Sequence, residues 1–141
     1  MSVITAIPLT LIPFAIFNAM IFGFTSFSGQ DPLAAQVLQL TMVSGVTWVM
    51  TVADVFIAGG LVCLFIEILK ATRPGAGTVI DHMLSLLVFI AYLIEFIAIK
   101  GAAHSVFFLL GLIALIDVVA GFTISIHGAR RDVAFGSGDR F

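Results

Sequence analysis

The sequence predicts an all-α integral membrane protein, an antiparallel bundle of four transmembrane helices. Hydrophobic residues make up 61% of the 141-residue chain and charged residues only 10%, against about 25% charged in an ordinary soluble domain. Four apolar runs each reach the length of about 20 residues that a bilayer requires. Turn signals separate these runs. A soluble chain this short could not bury so much apolar surface, whereas a membrane protein leaves it facing lipid.

The spans are read as 3–27, 46–69, 79–99 and 104–126, within one transmembrane domain covering 1–141 that ends in a polar tail, 128–141. Ser28-Gly29-Gln30-Asp31-Pro32 closes the first span with a turn, then an N-cap and a proline at the first helical position. Pro8 and Pro13 are expected to bend that span. Residues 33–44 have helical character, with Gln36 and Gln39 among apolar neighbours. Joined to the second span they would form one helix of roughly 60 Å, twice the hydrocarbon thickness. An extra interfacial or projecting helix before the second span is therefore expected, with a break at Ser44-Gly45. Arg73-Pro74-Gly75-Ala76-Gly77 stops the second span. Lys100-Gly101 closes the third and leaves a short connection, which makes spans three and four a helical hairpin.

Basic residues in short loops set orientation. Lys70, Arg73, Arg130, Arg131 and Arg140 fall on one side and Lys100 alone on the other. Both termini are thus expected in the cytoplasm of a multi-pass cell-membrane protein, best matched to a prokaryotic inner membrane. The stretch before Pro8 has no Lys or Arg, so the basic region of a signal peptide is missing and the first run is read as retained. Trp48 is expected near the outer interface, where belt aromatics sit.

Polar groups inside the spans limit the function. Asp54, Glu95 and Asp117 lie in apolar runs, and Asn18 joins them. Such residues are rare in spans and usually face the bundle interior. An Asp at mid-span costs about 2.5–3.5 kcal/mol on the insertion scale, and each Leu, Ile, Phe or Val returns about 0.3–0.6. The fourth span carries enough of these to insert with its Asp. Helical spacing puts Gly111, Ala114, Val118, Gly121 and Ser125 on one stripe, with Asp117 beside it. Small residues allow close helix approach, so this is a packing face. Asp81, Ser85, Val88, Tyr92 and Glu95 share a face of the third span, and Thr47, Thr51, Asp54 and Ala58 a face of the second. At 1.5 Å per residue, Glu95 is expected about 7 Å from the outer boundary, Asp54 and Asn18 about 12–13 Å, and Asp117 about 20 Å.

Two readings of this staggered series stay open. The acids line an ion pathway, making the chain an oligomeric proton or cation channel or transporter. Alternatively they are hydrogen-bonded glue in a non-catalytic structural or accessory subunit, with Asn18 and Asp54 at matching depth. His82 and His127 are expected at the inner interface and His104 at the outer end near Glu95, as candidate pH-sensing groups. Two histidines specify no metal geometry, so neither metal nor cofactor is expected. Glu67 and Lys70, three apart, are expected to pair. The phenylalanines of the first span are read as packing against lipid and neighbouring helices. Cys63 is the single cysteine, which excludes an internal disulfide. No nucleophile–base pair or cofactor motif points to an enzyme. No basic patch points to nucleic acid. The expected partners are the lipid bilayer, further copies of the chain and a larger membrane complex.

Overall fold

The computed structural model describes residues 7–28, 31–72 and 78–136. Helix α1 covers Leu11–Ser28, α2 Val52–Ala71, α3 Thr78–Ala98 and α4 Ser105–Gly136. An antiparallel pair, β1 (Gln36–Thr41) and β2 (Thr47–Thr51), stands between α1 and α2. Short 3-10 turns cover Pro32–Ala34 and Lys100–Ala102. Helices α2, α3 and α4 are each long and apolar enough to cross a membrane. Helix α1 has 18 residues, or about 27 Å at 1.5 Å per residue. The chain is therefore mostly helical, and the small sheet is the departure from an all-α fold.

That sheet replaces the helix expected over 33–44, and it moves the start of the second span from 46 to Val52. The physical reason is a period of two. Leu38, Leu40 and Met42 alternate with Gln39 and Thr41, and β2 carries Thr47, Trp48, Val49 and Thr51, residue types that suit a pleated strand. The expected break at Ser44-Gly45 is the hairpin turn. Gly45 has φ +81°, a left-handed conformation that favours glycine. Its N–H donates to the Met42 carbonyl at 2.9 Å, and the Met42 N–H donates to the Val46 carbonyl at 2.9 Å. This is a three-residue loop closed by a left-handed glycine. Asp31 does cap the next turn, accepting from the Leu33 N–H at 3.0 Å with Pro32 just inside, but the helix it starts is a single 3-10 turn.

Both ends of the helical set also differ from expectation. Residues 7–10 precede α1 as a turn, with the Leu11 N–H donating to the Pro8 carbonyl at 3.1 Å. Pro8 thus lies before the helix, and Pro13 falls in its first turn, where backbone N–H groups have no helical acceptor. The cause expected to bend the span is absent. Helix α4 runs to Gly136, well past the boundary at 126. Its 32 residues measure about 48 Å, longer than the roughly 30 Å hydrocarbon core. Residues 1–6, 29–30, 73–77 and 137–141 lie outside the described residues, and with them parts of the expected turns at 28–32 and 73–77 and of the polar tail.

Helix α4 packs against both α2 and α3. Its small-residue stripe faces protein as expected. Ala114 is fully buried, and a Cβ at Gly111 would touch the Tyr92 side chain at 3.5 Å. On α2, Gly60 lets the Leu110 side chain in, since a Cβ there would lie 2.8 Å from Leu110 Cδ2. Phe17 and Phe14 of α1 join Tyr92 and Phe107 in an aromatic core, with ring centroids 4.8 Å apart for Phe14–Tyr92 and for Phe17–Phe107. Phe22 is exposed. Gly101, in the turn joining α3 to α4, has no room for a Cβ because Ile21 of α1 fills the space.

Gly45→Val should destabilise the hairpin by about 1–2 kcal/mol, the penalty of a side chain in the left-handed region. Amide hydrogen exchange across β1 and β2 reports it, with faster exchange there and unchanged protection in α3 and α4. Equal protection in variant and parent would show that this turn does not hold the hairpin.

Candidate functional site

Buried polar side chains gather near the end of the helical set opposite the hairpin. Glu67, His82, Ser85 and Asp117 are all buried, from α2, α3 and α4. Periodicity explains how they converge. On α2 the buried positions are Gly60, Leu64 and Glu67, spaced four and three apart. On α3, His82, Ser85, Val88 and Tyr92 are buried at the same kind of spacing. On α4, Asp117 and Gly121 lie one turn apart and Ser125 follows by another. Each helix therefore turns one stripe inward.

The contacts are specific. His82 Nε2 is 2.8 Å from Ser125 Oγ, joining α3 to α4. The ring lies directly against Gly121, where a Cβ would sit 2.6 Å from His82 Cε1. Glycine at 121 is thus a condition for the histidine's position. Ser85 of α3 and Asp117 of α4 are both buried in this cluster. One carboxyl oxygen of Asp117, Oδ2, is buried and has no hydrogen-bond partner among the described residues. Oδ1 of Asp81, at the edge of the cluster, is likewise buried without one. Glu67 holds Lys70 at 2.9 Å, the pair expected from their spacing. Its Oε1 also accepts the backbone N–H of Leu9 at 2.6 Å.

The remaining polar residues singled out from the sequence lie elsewhere. Asn18 donates through Nδ2 to Glu95 Oε2 at 2.8 Å and to the Phe14 carbonyl at 3.2 Å. Asn18 is therefore paired with Glu95, not with Asp54. Asp54 is exposed and belongs to the N-terminal cap of α2. Its Oδ2 accepts from the Thr51 N–H and hydroxyl, each at 2.8 Å, and the Thr51 hydroxyl accepts the Asp54 N–H at 3.4 Å. This reciprocal capping box fixes the helix start. It also corrects the depth and face expected for Asp54, because the helix begins only at Val52. Likewise, Thr47 and Thr51 belong to a strand instead of a helical stripe. His104 accepts the Val106 N–H at 3.1 Å and lies 3.6 Å from Asp31, away from the Asn18–Glu95 pair. His127 is exposed and bonds the Thr123 carbonyl of its own helix at 2.9 Å, so it does not join His82. Among the described residues no group of three or more His, Cys, Asp or Glu could hold a metal ion.

The sequence points to Glu67 as an inner-interface partner of Lys70, near His82, without showing that it is buried. The spacing Gly60, Leu64, Glu67 was the available signal. The Leu9 contact had none, because it joins a backbone N–H to a side chain 58 residues away. No family model, curated protein or solved structure matches this chain.

Gly121→Ala should destabilise the protein by about 1–3 kcal/mol, the usual cost of overpacking. In a His82→Ala background the same change should cost less than about 0.5 kcal/mol, since the two sites are in contact and couple. Unfolding titrations of the four proteins in mixed micelles measure both. An undiminished cost in the double variant would place the obstruction elsewhere.

Proposed function

We propose that this chain is a small multi-pass membrane protein that moves protons, an oligomeric channel or transporter whose working site is Asp117 with Ser85, His82 and the Glu67–Lys70 pair. The observation that carries the reading is the Asp117 carboxyl, buried on α4 with one oxygen that has no partner among the described residues. A buried polar atom without a partner costs about 1–3 kcal/mol, which packing alone gives no reason to retain. Ionisable groups inside spans mark ion and proton pathways. Hydroxyl, imidazole and carboxyl groups in sequence favour a proton over a larger cation, because each can both receive and release one. Glu95 and Asp54 enter this reading in other roles, as a helix tie and a helix cap. The proposal includes four spans, both termini in the cytoplasm, several copies of the chain and no enzymatic activity. Helix α2 leaves most of its apolar surface uncovered, which suits contact with lipid and with further copies.

A second reading has its own observation. Asn18–Glu95, Leu9–Glu67 and the Tyr92 hydroxyl bond to the Thr10 carbonyl at 3.2 Å all fasten α1 and its approach to the other helices. If Asp117 is one more such tie, completed by a neighbouring subunit, the chain is a structural or accessory component of a larger membrane complex.

Purified protein in liposomes holding a pH-sensitive dye separates the two. Under an imposed potential the parent should acidify or alkalinise the lumen, Asp117→Asn should lower that flux at least about tenfold, and Asp54→Ala should keep it while destabilising α2 by the roughly 0.5–2 kcal/mol of a lost cap. Absence of flux in the parent overturns the proton reading. Dissociation of the oligomer by Asp117→Asn supports the structural one.

A further inference from the structure

We infer that the β1–β2 hairpin is a membrane-surface anchor that lays one face on the phospholipid headgroup zone at the α2 N-terminal end. The inference is independent of the proton reading, since it concerns another part of the molecule.

The register determines the face. Leu38 opposes Met50 and Leu40 opposes Trp48, and Met42 meets Val46 across the turn. Paired residues share a side of the sheet, and alternate residues along a strand do too. Those six side chains therefore form one apolar face. The opposite face carries Gln39, Thr41, Thr47 and Val49. Leu40 is 46% exposed and Trp48 40%, so the bundle does not cover the apolar side. A two-stranded hairpin is marginal on its own in water and needs something against its face.

Chemistry and connectivity select the occupant. From Pro32 to Ala53 the sequence has no Asp, Glu, Lys or Arg. Strand edges that face water are usually guarded by charge, and protein docking surfaces carry a polar, charged rim. Neither is present here. The hydrocarbon core is also unsuitable, because the outer edges of β1 and β2 present N–H and C=O groups that lipid tails cannot satisfy. The headgroup zone meets both conditions, hydrating the backbone while taking apolar side chains to shallow depth. Thr51 ends β2 and caps α2 with no linker between. The apolar face is thereby continuous with a helix whose exposed apolar side chains, Val55 among them, suit lipid. A strand of this length reaches only about 20 Å. Trp48 has the amphipathic ring enriched at this level of a bilayer.

Trp48 is also the single tryptophan, which makes the full-length protein its own probe. In phosphatidylcholine vesicles with bromine placed at defined acyl positions, its emission should be blue-shifted and largely lost, with more quenching by bromines near the headgroups than by bromines near the chain ends. Leu40→Gln with Met42→Gln should return the emission toward that of tryptophan in water. The inference is overturned if unmodified Trp48 is quenched by aqueous iodide and not by the lipids. It is overturned equally if the emission is blue-shifted but insensitive to both quenchers, since protein, such as a second copy's hairpin, then covers the face. Stronger quenching by the deepest bromines would also overturn it.

Discussion

At Gly121 the backbone of α4 is bare, and the His82 ring of α3 occupies the space a side chain would fill. Much of the polar arrangement depends on that approach. It brings the imidazole within 2.8 Å of Ser125. One turn earlier on α4 the Asp117 side chain is buried, as is Ser85 of α3. In an apolar surrounding the alternative to such partners is an unsatisfied polar group, which is why small residues and polar residues occur together on one stripe. The hairpin end of the seam is held by apolar contacts, with Tyr92 of α3 against Gly111 and Phe107 of α4.

Helix α1 joins this pair by different means. Its ring contacts, Phe14 with Tyr92 and Phe17 with Phe107, place it beside α3 and α4. Its polar bonds then fix its position along the axis. Asn18 meets Glu95 toward the hairpin end, while Leu9 and Thr10 meet Glu67 and Tyr92 toward the other. Interhelical hydrogen bonds in membrane proteins average only about 0.6 kcal/mol, so they contribute register more than strength.

The seam was legible in the sequence because helical periodicity is a local property. Gly111, Ala114, Val118, Gly121 and Ser125 repeat at three and four, and so do Ser85, Val88 and Tyr92. The hairpin was hidden by its composition, since Gln36 and Gln39 stand three apart like a helical polar stripe. The alternation of Leu38, Leu40 and Met42 around Gln39 and Thr41 was the truer signal. Asp54 carried a signal too, as Thr51-x-x-Asp54 has the spacing of a capping box. It was outweighed by a span drawn from hydropathy alone. The pairing of Asn18 with Glu95 depends on how far α1 slides against α3, and no pattern within either segment encodes that.

Counting donors on each carboxyl distinguishes acids that the sequence presented as equals. Glu67 receives the Leu9 N–H and the Lys70 ammonium. Asp54 receives the Thr51 N–H and hydroxyl. Glu95 receives the Asn18 amide. Asp117, among the most buried of them, has no partner on Oδ2 among the described residues. Structural need therefore accounts for the first three and leaves Asp117 only partly explained.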